Sequence, residues 1–122
     1  MKKILVVDDS KEIRELVKTT LGTENYKVFE CANGEKAVAI ARKEIPDLII
    51  IDIVMPGGID GIEATRAIKS DHKTKKCNVI ILTGQGQNKY KKAGLEAGAV
   101  SFFAKPFSPL KLIQKVEKIL TR

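Results

Sequence analysis

Two rhythms of apolar positions alternate along the chain. Short runs rich in Val, Ile, Leu and aromatics occur at Lys3–Val7, Tyr26–Cys31, Leu48–Ile51, Asn78–Leu82 and Ala99–Phe103, and these predict five strands. Between them, apolar residues recur every three or four positions, the helix period. Ser10–Leu21 places Ile13, Leu16, Val17 and Leu21 on one face. Asn33 is positioned to cap a second helix that faces Ala37, Val38, Ala41 and Ile45 inward and ends at Pro46. Asp60, with Glu63 three residues on, has capping-box spacing and opens a third helix through Ile62, Ala67 and Ile68. Gln87–Ala97 predicts a weaker fourth helix, because Gly94 inside it costs about 1 kcal/mol relative to Ala. Ser108 as cap and Pro109 at the first helical position start a fifth, with Leu110, Ile113, Val116 and Leu120 inward.

Strands alternating with helices predict an α/β domain: a doubly wound, five-stranded parallel sheet with five helices and right-handed crossovers. The first, third and fourth strands are nearly continuous aliphatic runs, as expected where both sheet faces are covered. At 122 residues this is one domain, residues 1–122, with no repeat or linker and no second domain expected after the last helix.

Composition narrows the classes. No apolar run reaches the ~20 residues of a membrane span, and the start MKKILVVDDS is too short in apolar residues for a signal peptide, so a cytoplasmic location is expected. Cys31 and Cys77 stand apart without neighbouring His, which predicts two small buried hydrophobes rather than a metal site or disulfide. His72, between Asp71 and Lys73, reads as a solvated loop residue. The net charge of +7 is uneven: residues 1–61 hold nine basic and eleven acidic side chains, residues 62–122 thirteen and four.

The chemistry-bearing residues sit at strand ends. Asp8 and Asp9 follow the first strand, Asp52 ends the third, Thr83 ends the fourth and Lys105 follows the fifth. In open α/β sheets sites form at the carboxyl ends of strands where strand order reverses. If strands 1, 3, 4 and 5 are neighbours, these side chains meet on one rim. One like-charge pair at 4 Å is worth about 4 kcal/mol at an effective dielectric of 20, so three carboxylates there call for cations. Lys105 supplies one charge, and a hard divalent ion with oxygen ligands, Mg²⁺ (or Mn²⁺), suits the remainder. Each residue also has a plainer account. Acids near a helix start stabilise it, Thr83 can be a strand terminus and Lys105 a loop lysine. Helix capping does not account for Asp52, which precedes further apolar residues.

VVDDS, DIVMP, Asp60-Gly61, ILTG and AKPF, in this order on these elements, resemble the receiver domain of bacterial two-component response regulators, over Lys3 to Leu120. The resemblance implies a flavodoxin-like sheet of order 2-1-3-4-5. It implies that Asp52 accepts a phosphoryl group from a sensor histidine kinase or a histidine phosphotransfer protein. Asp8, Asp9, Asp52 and the backbone carbonyl of Val54 would hold the metal, with Thr83 and Lys105 on phosphoryl oxygens. Thr83 and Phe102 would form the switch, Phe102 standing where many members have Tyr. Any catalysis would be weak self-phosphorylation and self-dephosphorylation at Asp52. The fourth helix, with Gly84 and Gly86 ahead of it, suits a movable element.

The face of helix 4, strand 5 and helix 5 carries Lys89, Lys91, Lys92, Lys111, Lys115 and Lys118. An acidic downstream protein partner is the expected occupant, with nucleic acid and membrane disfavoured. Two departures from the family pattern stand out. Gly57-Gly58-Ile59 gives three residues between Pro56 and Asp60 where two are common. Val54 is apolar and Gln85 polar at positions that tune dephosphorylation in the family. A docking module that works without phosphorylation, and a flavin-binding protein of the same architecture, are the rivals. The complete set of strand-end residues argues against the first, and the lack of a phosphate-binding loop after strand 1 against the second.

Overall fold

Each apolar run becomes a strand, and each strand finds parallel neighbours. The computed structural model describes residues 1–22, 25–55, 57–84 and 88–121, Asn88 by its backbone only. The elements are β1 (Lys2–Val7), α1 (Lys11–Leu21), β2 (Tyr26–Cys31), α2 (Gly34–Glu44), β3 (Leu48–Asp52), α3 (Gly61–Ser70), β4 (Asn78–Thr83), α4 (Lys91–Ala97), β5 (Ser101–Ala104) and α5 (Pro109–Leu120). The sheet order is β2-β1-β3-β4-β5, every pairing parallel, as the resemblance implied. Order reverses between β1 and β3, so the crevice expected at such a reversal lies at their carboxyl ends.

Alternation along the strands fills two cores. Leu5, Val7, Ile49, Ile51, Val79 and Ile81 face α2, α3 and α4. Ile4, Val6, Leu48, Ile50, Ile80 and Leu82 face α1 and α5. All twelve are fully buried, which is why these strands read as unbroken aliphatic runs; each such side chain contributes roughly 1.5–3 kcal/mol. Cys31 and Cys77 are buried free thiols, and His72 lies in an exposed turn. Ser10, Asn33, Asp60 and Ser108 cap their helices as expected, Asp60 with Glu63 in a full capping box.

Several inward assignments move. In α5 the buried stripe is Leu112, Val116 and Ile119, while Leu110 is 63% exposed in the first turn. Leu16 of α1 is 40% exposed, because Val17, Thr20 and Leu21 already fill the contact with the sheet. Ala67 faces out and Ala64 and Thr65 face in. Ile45 is exposed: it leaves α2 in the left-handed conformation (φ 47°) ahead of Pro46. The fourth helix is shorter than its apolar pattern. Asn88–Tyr90 wind as a 3₁₀ turn, and α4 follows without a side-chain cap. The expected start at Gln87, together with Gln85 and Gly86, lies outside the described residues, as do Pro56 and Arg122. The fifth strand starts at Ser101 rather than Ala99, because the N–H of Ala99 still closes the end of α4 by donating to Gly94 O at 3.0 Å.

Gly94, a weakness by propensity, is required by packing. A methyl group there would lie 2.7 Å from Cδ1 of Ile81 and 2.8 Å from Cζ of Phe102, so α4 can approach the sheet only with hydrogen at this position. Among the described residues no helix is long and apolar enough to cross a membrane.

Candidate functional site: an acidic cluster at the sheet's carboxyl end

β1 and β3 are adjacent and in register, Val7 beside Ile51, so the residues just past their ends must meet. Carboxylate oxygens of Asp8, Asp9 and Asp52 lie within 4.8 Å of one another. Asp8 is fully buried, Asp52 is 6% exposed and Asp9 is exposed. Lys105 Nζ reaches in from the end of β5, 2.9 Å from Asp8 Oδ2 and 3.3 Å from Asp52 Oδ1. The Lys105–Pro106 peptide bond is cis. The N–H of Lys105 donates to Thr83 O at 2.7 Å, which ties this loop to the end of β4, where Thr83 is buried.

Asp8 is held on almost every side. Its N–H donates to Cys31 O at 3.2 Å, and its Oδ1 accepts from Ser10 N at 2.9 Å. Its carbonyl accepts from Arg14 Nη1 at 2.8 Å. Oδ2 is different: it is buried, and among the described residues no donor stands against it but the Lys105 ammonium at 2.9 Å. A buried carboxylate oxygen without hydrogen bonds is costly unless something cationic compensates.

Electrostatics agree. Burial, with the Asp8 charge next and Asp9 behind it, pushes the Asp52 carboxyl up to about 6 against the pull of Lys105. Burial alone would lower Lys105, but the hydrogen bond to Asp8 and the charges of Asp52 and Asp8 outweigh it and raise its pKa. Burial is the largest cause of the Asp52 rise, and the neighbouring acids push both groups the same way. Among the described residues the donor set, three carboxylates against one lysine with a buried oxygen held by that lysine alone, fits a hard divalent cation that takes oxygen ligands directly and through water.

The structure thus brings Asp8, Asp9, Asp52, Thr83 and Lys105 to one rim. Val54 follows two residues after Asp52, its side chain 53% exposed. Phe102 is half-buried on β5 and packs against the core and Gly94, at the back of the strand ends rather than in the acidic cluster. Lys115 is not a free surface charge: it is half-buried, donates to Ser101 Oγ at 2.8 Å and lies 5.7 Å from the Phe103 ring centre. Lys89, Lys91, Lys92, Lys111 and Lys118 are exposed.

Two features went unread in the sequence. A methyl group on Gly61 would sit 2.0 Å from the carbonyl oxygen of Asp52, while the N–H of Gly61 donates to Ile53 O at 2.7 Å. The start of α3 therefore packs directly on the backbone that carries Asp52; the Asp60-Gly61 pair at a capping box was the available signal. The other is Arg14, which leaves no signal because its partner at Asp8 is a backbone carbonyl.

A family model of the response regulator receiver domain matches residues 4–117. The chain is 41% identical over 120 residues to transcriptional regulatory protein ResD of Bacillus subtilis, covering 98% of this chain and 48% of ResD. It spans about half the length of the curated relatives it matches. Among solved structures, chemotaxis response regulator CheY4 of Vibrio cholerae superposes with a TM-score of 0.89 at 34% identity, covering 98% of each chain. The receiver domain of sensor histidine kinase PA1611 of Pseudomonas aeruginosa PAO1, solved with a magnesium ion coordinated in its active site cleft, gives 0.90 at 27%, covering 99% of this chain and 98% of that one.

Proposed function

This chain belongs to the response regulator receiver domain family, and from that premise we propose that Asp52 is its phosphoacceptor. An Asp52 oxygen attacks the phosphorus of a phosphohistidine on a sensor histidine kinase or histidine phosphotransfer protein. The P–N bond breaks, its electron pair returns to the imidazole, and an acyl phosphate forms. With a pKa of about 6, Asp52 is mostly ionised at neutral pH and ready to attack. Lys105, 3.3 Å from Asp52 Oδ1, is placed to follow a phosphoryl oxygen. Thr83 at the end of β4 supplies a hydroxyl for another. Asp8, Asp9 and Asp52, with the Val54 carbonyl, would hold Mg²⁺ or Mn²⁺, as the PA1611 receiver holds magnesium in its cleft. Such an ion screens the repulsion between acceptor and phosphoryl oxygens.

The observation that carries this reading is the packing of three carboxylates within 4.8 Å around one lysine. Structural ion pairing does not gather a surplus of like charge. The signal leaves through Thr83 and Phe102 as a population shift of α4, β5 and α5. The exposed lysines of that face suit an acidic protein partner. ResD is named a transcriptional regulatory protein, and about half of it lies outside the match.

The test is intact mass after incubation with Mg²⁺ and a small phosphodonor. A single phosphoryl adduct, lost in Asp52→Asn, is expected. An adduct that persists in Asp52→Asn, or none on the wild type, overturns the assignment.

A further inference from the structure

The additional glycine beside the acidic cluster has a partner. Gly57 and Gly58 adopt left-handed conformations (φ 74° and 70°), and Ile59 follows. The N–H of Ile59 donates to Oε2 of Glu35, in the first turn of α2, at 2.8 Å. Gly58 lies against the same carboxylate: a methyl group there would be 2.1 Å from Oε2 and 2.4 Å from Oε1. Gly34 completes the fit, since a methyl group on it would be 2.6 Å from Cγ1 of Ile59 and 2.8 Å from its carbonyl oxygen. An acid in a first helical turn favours the helix dipole wherever it points. Here it points at a backbone donor 24 residues away, past Gly58, whose missing side chain leaves it room.

The entry to α3, Ile59 and Asp60, is therefore fastened twice. Glu35 holds Ile59, and the Asp60–Glu63 capping box holds the helix start next to it. Gly61 N–H ties that start back to Ile53 O, beside Asp52. Val54 comes next after Ile53.

We propose that Glu35 is a positioning residue for the metal site: by holding Ile59 it fixes the start of α3, and through the Gly61 N–H on Ile53 O the placement of Asp52 and the Val54 carbonyl. This rests on the reading of the acidic cluster as a divalent-ion site. Groups hydrogen-bonded to metal ligands commonly change affinity by about 10–100-fold when removed, and Glu35, one step further out, should act at the low end of that range.

The experiment compares wild type, Glu35→Ala, Glu35→Gln and Gly58→Ala without phosphodonor. It reads the Mg²⁺ dissociation constant by calorimetry and amide hydrogen exchange at Ile59. Glu35→Ala should speed exchange at Ile59 and weaken Mg²⁺ about tenfold. Glu35→Gln keeps an oxygen acceptor and should stay near wild type on both. Gly58→Ala, which drives a side chain into the Glu35 carboxylate at positive φ, should behave as Glu35→Ala. Mg²⁺ affinity within about twofold of wild type in Glu35→Ala overturns the proposal, as does an equal loss in Glu35→Gln. Phosphoryl uptake is scored separately. A wild type that binds Mg²⁺ without forming an adduct removes the phosphoacceptor reading and leaves the Glu35 result standing. A wild type that forms the adduct while Glu35→Ala binds Mg²⁺ normally removes the Glu35 role alone. A wild type that does not bind Mg²⁺ overturns both.

Discussion

Two charge clusters sit near the carboxyl end of the sheet, and they are built on opposite plans. On β2, Glu30 is one acid with two bases: Arg14 Nε at 2.9 Å, and Lys18. The hydrogen bonds from Lys18 and then Arg14 hold the Glu30 carboxyl below its usual range. Around Asp52, three acids gather with one lysine, which reaches Asp8 and Asp52 only, and burial with the Asp8 charge pushes Asp52 up to about 6. Glu30 is satisfied within the protein; the surplus negative charge around Asp52 calls for a proton or a cation. One side chain joins the two, since Arg14 bonds Glu30 through Nε and the Asp8 carbonyl through Nη1. The balanced cluster thus anchors the unbalanced one, and surplus charge, rather than charge itself, marks the reactive place.

The largest expected effect comes from removing the Asp52 carboxylate. Asp52→Asn should reduce phosphoryl uptake to background in the mass assay. Stripping divalent ions with EDTA should slow uptake by the wild type on the order of a hundredfold, corresponding to about 3 kcal/mol of lost charge stabilisation. Uptake that ignores EDTA would show that Lys105 alone balances the acids.

The same substitution should stabilise the metal-free protein. The folded pKa of Asp52 is raised above its unfolded value of 3.8, so its contribution is most favourable below about pH 4 and is lost as pH rises through about 6. Above that, ionised Asp52 opposes folding by about 1–3 kcal/mol, which Asp52→Asn relieves. Urea unfolding in EDTA should show the variant ahead at pH 7.5 and the advantage shrinking toward pH 4.5. A pH-independent difference would mean that burial and the Asp8 charge do not raise Asp52 as described.

These strand ends are also where the sequence was most informative, and the reason is physical. A carboxylate at the end of a run such as Leu48–Ile51 contradicts its surroundings, and residue type alone records the contradiction. Parallel pairing then brings strand ends together whatever the intervening helices do. The helix faces were less legible, because apolar residues outnumber the places a sheet can cover. Leu110 and Leu112 look alike in the chain, but only Leu112 reaches the core. The contacts of Arg14 with the Asp8 carbonyl and of Glu35 with the Ile59 N–H could not be read at all. Backbone groups are the same at every residue, so a side chain that bonds one leaves no complementary letter in the sequence.

Arg14→Ala tests the link between the clusters. It removes the donor to the Asp8 carbonyl and one of the two bases on Glu30, and should cost about 1–2 kcal/mol in urea unfolding, chiefly through the carbonyl left without its partner. Arg14→Lys, with one donor group in place of a fork, should recover only part of it. Full recovery with Lys would mean that charge alone, not the two-way span, does the anchoring.

Glu30→Gln makes the smallest change and the sharpest contrast with Asp52. The Glu30 side chain is 31% exposed, so solvent screens its pairs, and the loss should be about 0.5–1 kcal/mol, falling in high salt. Its sign with pH is opposite to that of Asp52. The folded pKa of Glu30 lies below its unfolded value of 4.5, so its contribution is present above pH 4.5 and disappears as pH falls through the folded value. Wild type and Glu30→Gln should therefore differ at pH 7 and converge in acid, where wild type and Asp52→Asn also converge. At pH 7 the two substitutions separate in opposite directions, the Gln variant below wild type and the Asn variant above it. Were both to destabilise the metal-free protein at pH 7, the acids around Asp52 would be as well compensated as Glu30. The case for a metal at that rim would then lose its electrostatic support.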